Sequence, residues 1–241
     1  MPAPSPTGGK RKTAALAVFA KTPGRTPAKT RLGATVGQEV AEAFYRLSLA
    51  ATAAVADAAA AAGPVEVVFA LAEPGAADDA IWAGRRTIGQ GTGGLGDRLA
   101  TVYAALLAEF GAVLLIGCDS PHHAPDRFLR PAAALLESAD PADFRLGRCA
   151  DGGYWLLGGR RPVPPAAFRS VAYSTARTAD DTVAALRPLG TLAEEPASFD
   201  IDDAADLPPL AAALAALPDP LPTQAALADW LRDRGLDGAG V

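Results

Sequence analysis

The chain has two cysteines, one methionine, two histidines and only 6 % aromatic residues among its 241 positions. Each scarcity excludes something. Cys118 and Cys149 are too few and too far apart for a disulfide framework or a cysteine-rich zinc site. His122 and His123 are adjacent and bring no third ligand, so they read as ordinary loop residues rather than a zinc site. There is no basic tract. A formal net charge of −5 speaks against generic nucleic-acid binding. No run reads as a membrane span, because Asp57 interrupts the stretch from Ala50 to Ala62 and alanine is only weakly apolar. The short run Ala14 to Ala20 ends at Lys21 with no cleavage pattern behind it, so no signal peptide is expected. These absences favour a cytoplasmic protein with neither membrane nor nucleic acid as partner.

What is present is apolar bulk: half of the residues are hydrophobic, enough for one sizeable core. Residues 1–13, rich in Pro, Gly and Lys, read as a disordered tail, and 14–241 as one domain. Short β-rich runs alternate with longer helical patterns. That alternation predicts an α/β fold with a mostly parallel sheet and helices on both faces.

Strands are expected at Leu16 to Ala20, Val65 to Leu71, Arg86 to Gln90, Val113 to Ile116, Phe144 to Cys149, Tyr154 to Leu157, Leu189 to Glu194 and Phe199 to Ile201. Helices are expected at Gln38 to Ala62, Gly96 to Phe110, Asp126 to Ser138, after Thr175 to Arg187, Asp203 to Ala216 and Thr223 to Arg234.

Open α/β sheets bind ligands outside the carboxyl ends of their strands, so the residues following each strand are the ones to inspect. After the first strand, AKTPGRTPAKTRLG crowds Lys21, Arg25, Lys29 and Arg31 into one loop. Cations so close repel unless an anion sits among them, and phosphate suits both the forked Arg and the point charge of Lys. A solvated basic loop is the plainer alternative. Next, Gly89, Gly91 and Gly94 follow the spacing G-x-G-x-x-G between a strand and a helix. Such a loop admits close approach of backbone N–H groups to a ligand, although a flexible turn explains it as well. Asp97 lies in the first turn of that helix and suits its dipole.

In IGCDSP, Asp119 ends an apolar strand, a position that suits a hard cation such as Mg²⁺. A turn or cap Asp is the alternative. Asp151-Gly152-Gly153 reads as a tight hairpin turn, and Tyr154 and Trp155 line either a pocket or the core. FDIDDAADL carries Asp200, Asp202, Asp203 and Asp206. Asp203 suits a helix cap. Alternation puts Asp200 and Asp202 on one side of a strand, where they repel unless a cation lies between them.

The ordered set FAKTPGRTPAKTRLG, QGTGGLGDRL, IGCDSP, DGGYWLLG, YSTARTADDT and FDIDDAADL resembles the radical-SAM/selenodomain-associated transferase 1 family (DUF2064-type) of glycosyltransferase-A-fold, nucleotide-diphospho-sugar transferase proteins. It is distantly similar to 2-phospholactate guanylyltransferases, which share the basic K-T-R-L loop. The resemblance covers roughly residues 14 to 210. It implies that Lys21, Arg25, Lys29 and Arg31 hold nucleotide phosphates, and that Gln90, Gly91, Gly94 and Arg98 border the nucleotide. It further implies that Asp119, Asp202 and Asp200 hold Mg²⁺ or Mn²⁺, and that Asp151, Tyr154, Ser174 and Thr175 line the acceptor side. The chain departs from the family at Tyr173, where Trp is usual, and at Arg148-Cys149-Ala150, where Gly-Pro-Ala is usual.

The expected activity is therefore metal-dependent nucleotidyl transfer from a nucleoside triphosphate to a small phosphorylated or phosphonate acceptor. Lys21, Lys29, Arg31 and Asp119 are the catalytic candidates. Glycosyl transfer from a nucleotide sugar is the alternative on the same fold, and a homodimer stays open. A dinucleotide-dependent oxidoreductase would use Gly89, Gly91 and Gly94 but leaves the basic loop unexplained. A catalytically dead binding protein would have no reason to keep the cations and carboxylates.

Overall fold

The computed structural model describes residues 11–137 and 139–238. One seven-stranded sheet is ordered β3-β2-β1-β4-β6-β5-β7. Its strands are β1 Arg11–Ala20, β2 Val65–Leu71, β3 Thr87–Gly89, β4 Phe110–Gly117, β5 Phe144–Cys149, β6 Tyr154–Gly159 and β7 Leu192–Ser198. All neighbouring pairs are parallel except those of β6, which runs antiparallel to β4 (Leu115↔Leu157) and to β5 (Leu146↔Leu157). The helices are α1 Thr30–Val36, α2 Gln38–Ala62, α3 Leu95–Glu109, α4 Asp126–Leu136, α5 Pro165–Arg169, α6 Thr178–Leu186, α7 Leu207–Ala215 and α8 Pro222–Asp233. Short 3-10 turns occupy Ala76–Asp78, Ala80–Trp82 and Ala204–Asp206. This is the mostly parallel α/β architecture expected from the alternating pattern.

From Ala14 on, strand β1 lies between β2 and β4 and is buried on both faces, which is why that part of its sequence is a continuous apolar run. Leu16 and Val18 face a cluster with Leu49 and Val55 of α2 and Phe128 and Leu135 of α4. Ala15 and Ala17 face the other side, against Val102 and Leu106 of α3 and Val183 and Leu186 of α6. A third cluster stands outside α2, where Leu32, Phe44, Leu207, Leu210, Leu227 and Leu231 surround Ile201. It fastens the C-terminal helices α7 and α8 to α1 and α2.

Several expectations need correction. Strand β1 begins at Arg11, so residues 11–13 belong to the sheet rather than to the tail; residues 1–10 lie outside the described residues. Thr30 to Val36 is helical, although it read as part of a basic loop. Helix α4 stops at Leu136, and the expected end at Ser138 lies outside the described residues. The last strand runs Leu192–Ser198 rather than Leu189 to Glu194. Phe199 to Ile201 is no strand: β7 stops pairing where its partner β5 ends, at Cys149↔Ser198.

Candidate active site

The parallel strands place the segments after β1, β3, β4, β5 and β7 along one edge of the sheet. Helix α2 holds two of these ends through a polar stripe in an alanine-rich face. Tyr45, Ser48 and Thr52 are spaced so that they share one side of the helix. The Tyr45 hydroxyl accepts from Lys21 N at 2.9 Å and donates to Lys21 O at 2.9 Å, clamping the end of β1. Ser48 Oγ and Thr52 Oγ1 both donate to Cys118 O, at 3.0 and 3.1 Å, which fixes the turn that carries Asp119. Sequence reasoning missed this stripe. Its signal was the run of hydroxyl residues at helical spacing on an alanine-rich face. Burial raises the Tyr45 hydroxyl well above its ordinary value and pushes the Cys118 thiol up to about 12, so both stay protonated and able to donate.

The loop after β1 is tied to the segment after β2. Thr22 N and Thr26 Oγ1 donate to Glu73, and Trp82 Nε1 donates to Thr22 Oγ1 at 3.0 Å. Arg25 forks onto Asp79, both N–O distances being 2.7 Å, and also donates to Pro74 O and Gly75 O. This consumes its guanidinium. Arg25 therefore pins the loop and lines neither lobe of the cleft, contrary to the phosphate-binding role expected of it. Lys21 Nζ donates to Pro27 O at 2.9 Å, inside its own loop.

Lys29 and Arg31 turn inward. Lys29 has left-handed backbone (φ 51°), costly for a residue with a Cβ and held here by the start of α1. Its ammonium is 2.8 Å from Asp119 Oδ1, 4.0 Å from Asp202 Oδ1, and donates to Ile201 O. Burial alone would lower the Lys29 pKa, but Asp119 and its neighbours outweigh that effect and raise it, so the side chain is charged. Arg31 Nη1 meets Asp202 Oδ2 at 3.1 Å.

A cleft of two lobes opens over this edge. The smaller, about 360 Å³, is lined by Lys21, Lys29, Arg31, Gln90, Arg98 and Asp119, among others. Gln90 is buried and donates to Ala70 O at 2.8 Å, and Arg98 donates to Gly93 O at 3.2 Å. Gly91 (φ 79°) and Gly93 (φ 97°) take left-handed backbone, and Gly94 caps α3, its N–H donating to Asp97. The glycine loop is thus a real turn into a helix N-terminus beside the cationic lobe.

The larger lobe, about 510 Å³, is lined by Asp151, Tyr154, Ser174, Thr175, Asp200 and Asp202, among others. Tyr173 and Trp155 also line it. Ser174 has left-handed backbone (φ 59°), in a turn knitted by Thr175 and Thr178 to Ala172 O. Gly152 packs against that turn so closely that a Cβ there would stand 2.1 Å from Ala176 O. Arg31 and Asp202 line both lobes and mark their junction.

The carboxylates are not grouped as the strand pattern predicted. Ile201 is fully buried in the third core cluster, and Asp200 and Asp202 flank it outside any strand. Asp119 and Asp202 meet through Lys29, whereas Asp200 joins Asp151 and Cys149. Among the described residues, these three form a set whose ligand atoms all lie within 4.8 Å of one another. Burial, then Asp151 and Asp202, raises the Asp200 carboxyl to about 6. Such crowding of negative charge suits a cation, and the oxygen donors of Asp119 and Asp202 fit a hard one.

His122 and His123 are buried rather than ordinary loop residues. Both ring Nε2 atoms share the Ser198 hydroxyl, at 3.0 and 2.7 Å, and His122 stacks on Phe199 at 4.2 Å. Burial lowers His122 to about 4 and His123 well below its ordinary value, so both are neutral and brace the end of β7.

The same architecture occurs in solved structures. A candidate nucleotide-diphospho-sugar transferase from Desulfovibrio desulfuricans G20 superposes with a TM-score of 0.77 at 23 % identity, over 93 % of this chain and 96 % of that one. A CMP:2-keto-3-deoxy-manno-octonic acid synthetase complexed with CTP gives 0.50 at 16 % identity, over 84 % and 98 %. A 4-diphosphocytidyl-2C-methyl-D-erythritol synthase from Anaerococcus prevotii DSM 20548 gives 0.51 at 11 % identity, over 92 % and 96 %. No curated protein matches the chain. At these identities the likeness establishes the fold, which is that of the nucleotide-diphospho-sugar transferases. The model of one family, described as an uncharacterized protein conserved in bacteria (DUF2064), matches residues 52–175, about half of the sequence and the span from α2 to the turn beyond Ser174, and the chain belongs to that family.

Proposed function

We propose that the protein is a nucleotide-dependent transferase that moves a nucleoside monophosphate from a triphosphate to a small phosphorylated or phosphonate acceptor. The observation that carries this reading is the division of one cleft into a cationic lobe and a carboxylate lobe, joined at Arg31 and Asp202. In this reading Lys21, Arg31, Arg98 and the glycine loop receive the phosphates, with backbone N–H groups at the start of α3 adding to the field. The base lies toward Gln90. The acceptor lies between Asp151, Tyr154, Ser174 and Thr175.

The chemistry is displacement at the α-phosphorus. An acceptor oxygen forms the new P–O bond as the bond to the β-phosphate breaks, and pyrophosphate leaves with the electron pair. Positioning and charge neutralisation carry most of the rate, so no nucleophilic side chain is needed. Lys29 holds Asp119 in place and balances the negative charge gathering at the junction. Asp119 and Asp202 would hold a divalent ion, Mg²⁺ or Mn²⁺, which supplies further neutralisation at the transferring phosphate. Two structures of this fold support the reading: the CMP:2-keto-3-deoxy-manno-octonic acid synthetase is complexed with CTP, and the other is named a 4-diphosphocytidyl-2C-methyl-D-erythritol synthase.

Glycosyl transfer is the second reading, favoured by one observation. Arg25 is committed to Asp79, so the loop offers fewer free cations than its sequence suggests, and a diphosphate needs fewer. Thermal melting with each nucleoside triphosphate and with nucleotide sugars, in Mg²⁺ or EDTA, separates the two. A triphosphate at a hundred times its Kd should add about 2.7 kcal/mol of stability by mass action. Metal-dependent stabilisation by one triphosphate, with pyrophosphate release on adding acceptor, is the expected result. Stabilisation by a nucleotide sugar alone would replace the first reading with the second.

A further inference from the structure

Next to the larger lobe, behind Asp151 and Asp200, lies a group that neither reading uses. Cys149 ends β5, where the register shifts between Gly147 and Arg148 against β6 and between Gly147 and Cys149 against β7. Bulges of this kind re-aim a side chain, often next to a functional site. Only 6 % of Cys149 is exposed, and its thiol makes no hydrogen bond among the described residues. It nevertheless stands within 4.8 Å of a carboxylate oxygen from each of Asp151 and Asp200, which line the lobe above it. Asp151 keeps one oxygen occupied by Gly153 N at 2.8 Å, an arrangement that fixes the orientation of the carboxylate. An unpartnered thiol aimed at two carboxylates has little to gain from either unless a cation lies among them.

We infer that Cys149, Asp151 and Asp200 form a binding site for a borderline divalent metal, of which Zn²⁺ is the best fit, on the floor of the acceptor lobe. A sulfur donor beside two carboxylates selects such an ion over Mg²⁺, which takes oxygen ligands. Binding displaces the thiol proton to solvent and leaves the thiolate on the metal. Three protein donors are one short of the usual four for zinc, so a place is left for an oxygen from a small molecule in the lobe. The site differs from the oxygen-only pair of Asp119 and Asp202 and does not depend on the nucleotide reading.

Cobalt is the probe, because Co²⁺ bound to a thiolate shows a near-ultraviolet charge-transfer band that oxygen ligands do not give. Titration of the metal-free full chain with Co²⁺ should produce that band with saturation at one equivalent, and Zn²⁺ should abolish it by displacement. The band should vanish in Cys149→Ser and persist in Cys118→Ser, which removes the other buried thiol. Asp200→Asn should keep the band but weaken Co²⁺ at least about tenfold, the scale of a lost carboxylate ligand or its support. If Cys149→Ser does not fold, the wild-type band and its weakening in Asp200→Asn decide the matter. Absence of a band in the wild-type protein, or a band unchanged in Cys149→Ser, would overturn the assignment. Nucleotide binding is not measured at any point, so failure here leaves the transferase reading as it was.

Discussion

Lys29 Nζ lies 2.8 Å from Asp119 Oδ1, joining the loop after β1 to the end of β4 across the floor of the cleft. The lysine side chain is only 7 % exposed. Removing its charge leaves Asp119 without its cation and the junction of the lobes more negative. Lys29→Met should therefore lower kcat by about 10²–10³, the usual scale for losing one preorganised electrostatic partner. The folded state should persist by circular dichroism. Activity within threefold of wild type would remove Lys29 from the catalytic group.

Arg25 and Arg31 look alike in the sequence and differ in the fold. Arg31→Ala should raise KM for the nucleotide about tenfold or more, because a forked phosphate contact is lost. Arg25→Ala should change KM less than threefold and cost little stability, as exposed ion pairs do. Steady-state kinetics on both variants, with urea melts, check the contrast. Equal effects on KM would return Arg25 to the phosphate site.

The two buried histidines make stability depend on pH. Between about 6.5 and 4 the unfolded chain takes up a proton that folded His122 refuses, so stability falls as the solution is acidified through that window. The loss from His122 alone is about 3 kcal/mol by pH 4, and His123 deepens it. Urea melts at pH 7, 5.5 and 4.5 should show the decline. His122→Phe, which keeps a ring against Phe199, should flatten it; an equally steep profile in the variant would assign the pH dependence to other groups.

Ser174 and Gly152 report on the acceptor turn from opposite directions. Ser174→Gly should stabilise the fold or leave it unchanged, within about 1 kcal/mol, because glycine relieves the left-handed backbone. Gly152→Ala should cost more than about 3 kcal/mol, since its φ of +90° and the 2.1 Å approach to Ala176 O leave no room for a methyl group. Thermal melts of both variants measure this, and a tolerated Gly152→Ala would mean the turn can move away.

Local signals were legible where local physics decides. Gly63 and Pro64 after a long alanine-rich run gave the end of α2, and the β-branched Val65 to Leu71 segment gave β2 with its observed bounds. The carboxyl-end rule pointed to Lys29, Arg31 and Asp119 and the resemblance added Gln90, and all four line the smaller lobe. What failed depends on partners distant in sequence. Nothing near Arg25 says that Asp79 will occupy it, 54 residues on. Alternation carried past Ser198 makes Asp200 and Asp202 strand neighbours, yet β5 ends there and offers no further backbone to pair with. In the sequence Cys149 counts only against a disulfide framework and a cysteine-rich zinc site, and as one residue of the Arg148-Cys149-Ala150 departure. Its place immediately before the Asp151 turn, at a position where the family usually differs, was the available clue.

The reversed direction of β6 has an evolutionary consequence. The segments after β1, β3 and β4 each run on into a helix, α1, α3 and α4, so altering one of them disturbs helix packing on the sheet. Strand β6 instead presents its beginning, so the short hairpin from Cys149 to Tyr154 supplies part of the wall of the larger lobe, proposed above for the acceptor, without any helix of its own. Substrate preference can thus drift through a few hairpin residues while the phosphate-facing half stays intact. Within one lineage, paralogues that share a donor and differ in acceptor should carry their substitutions there.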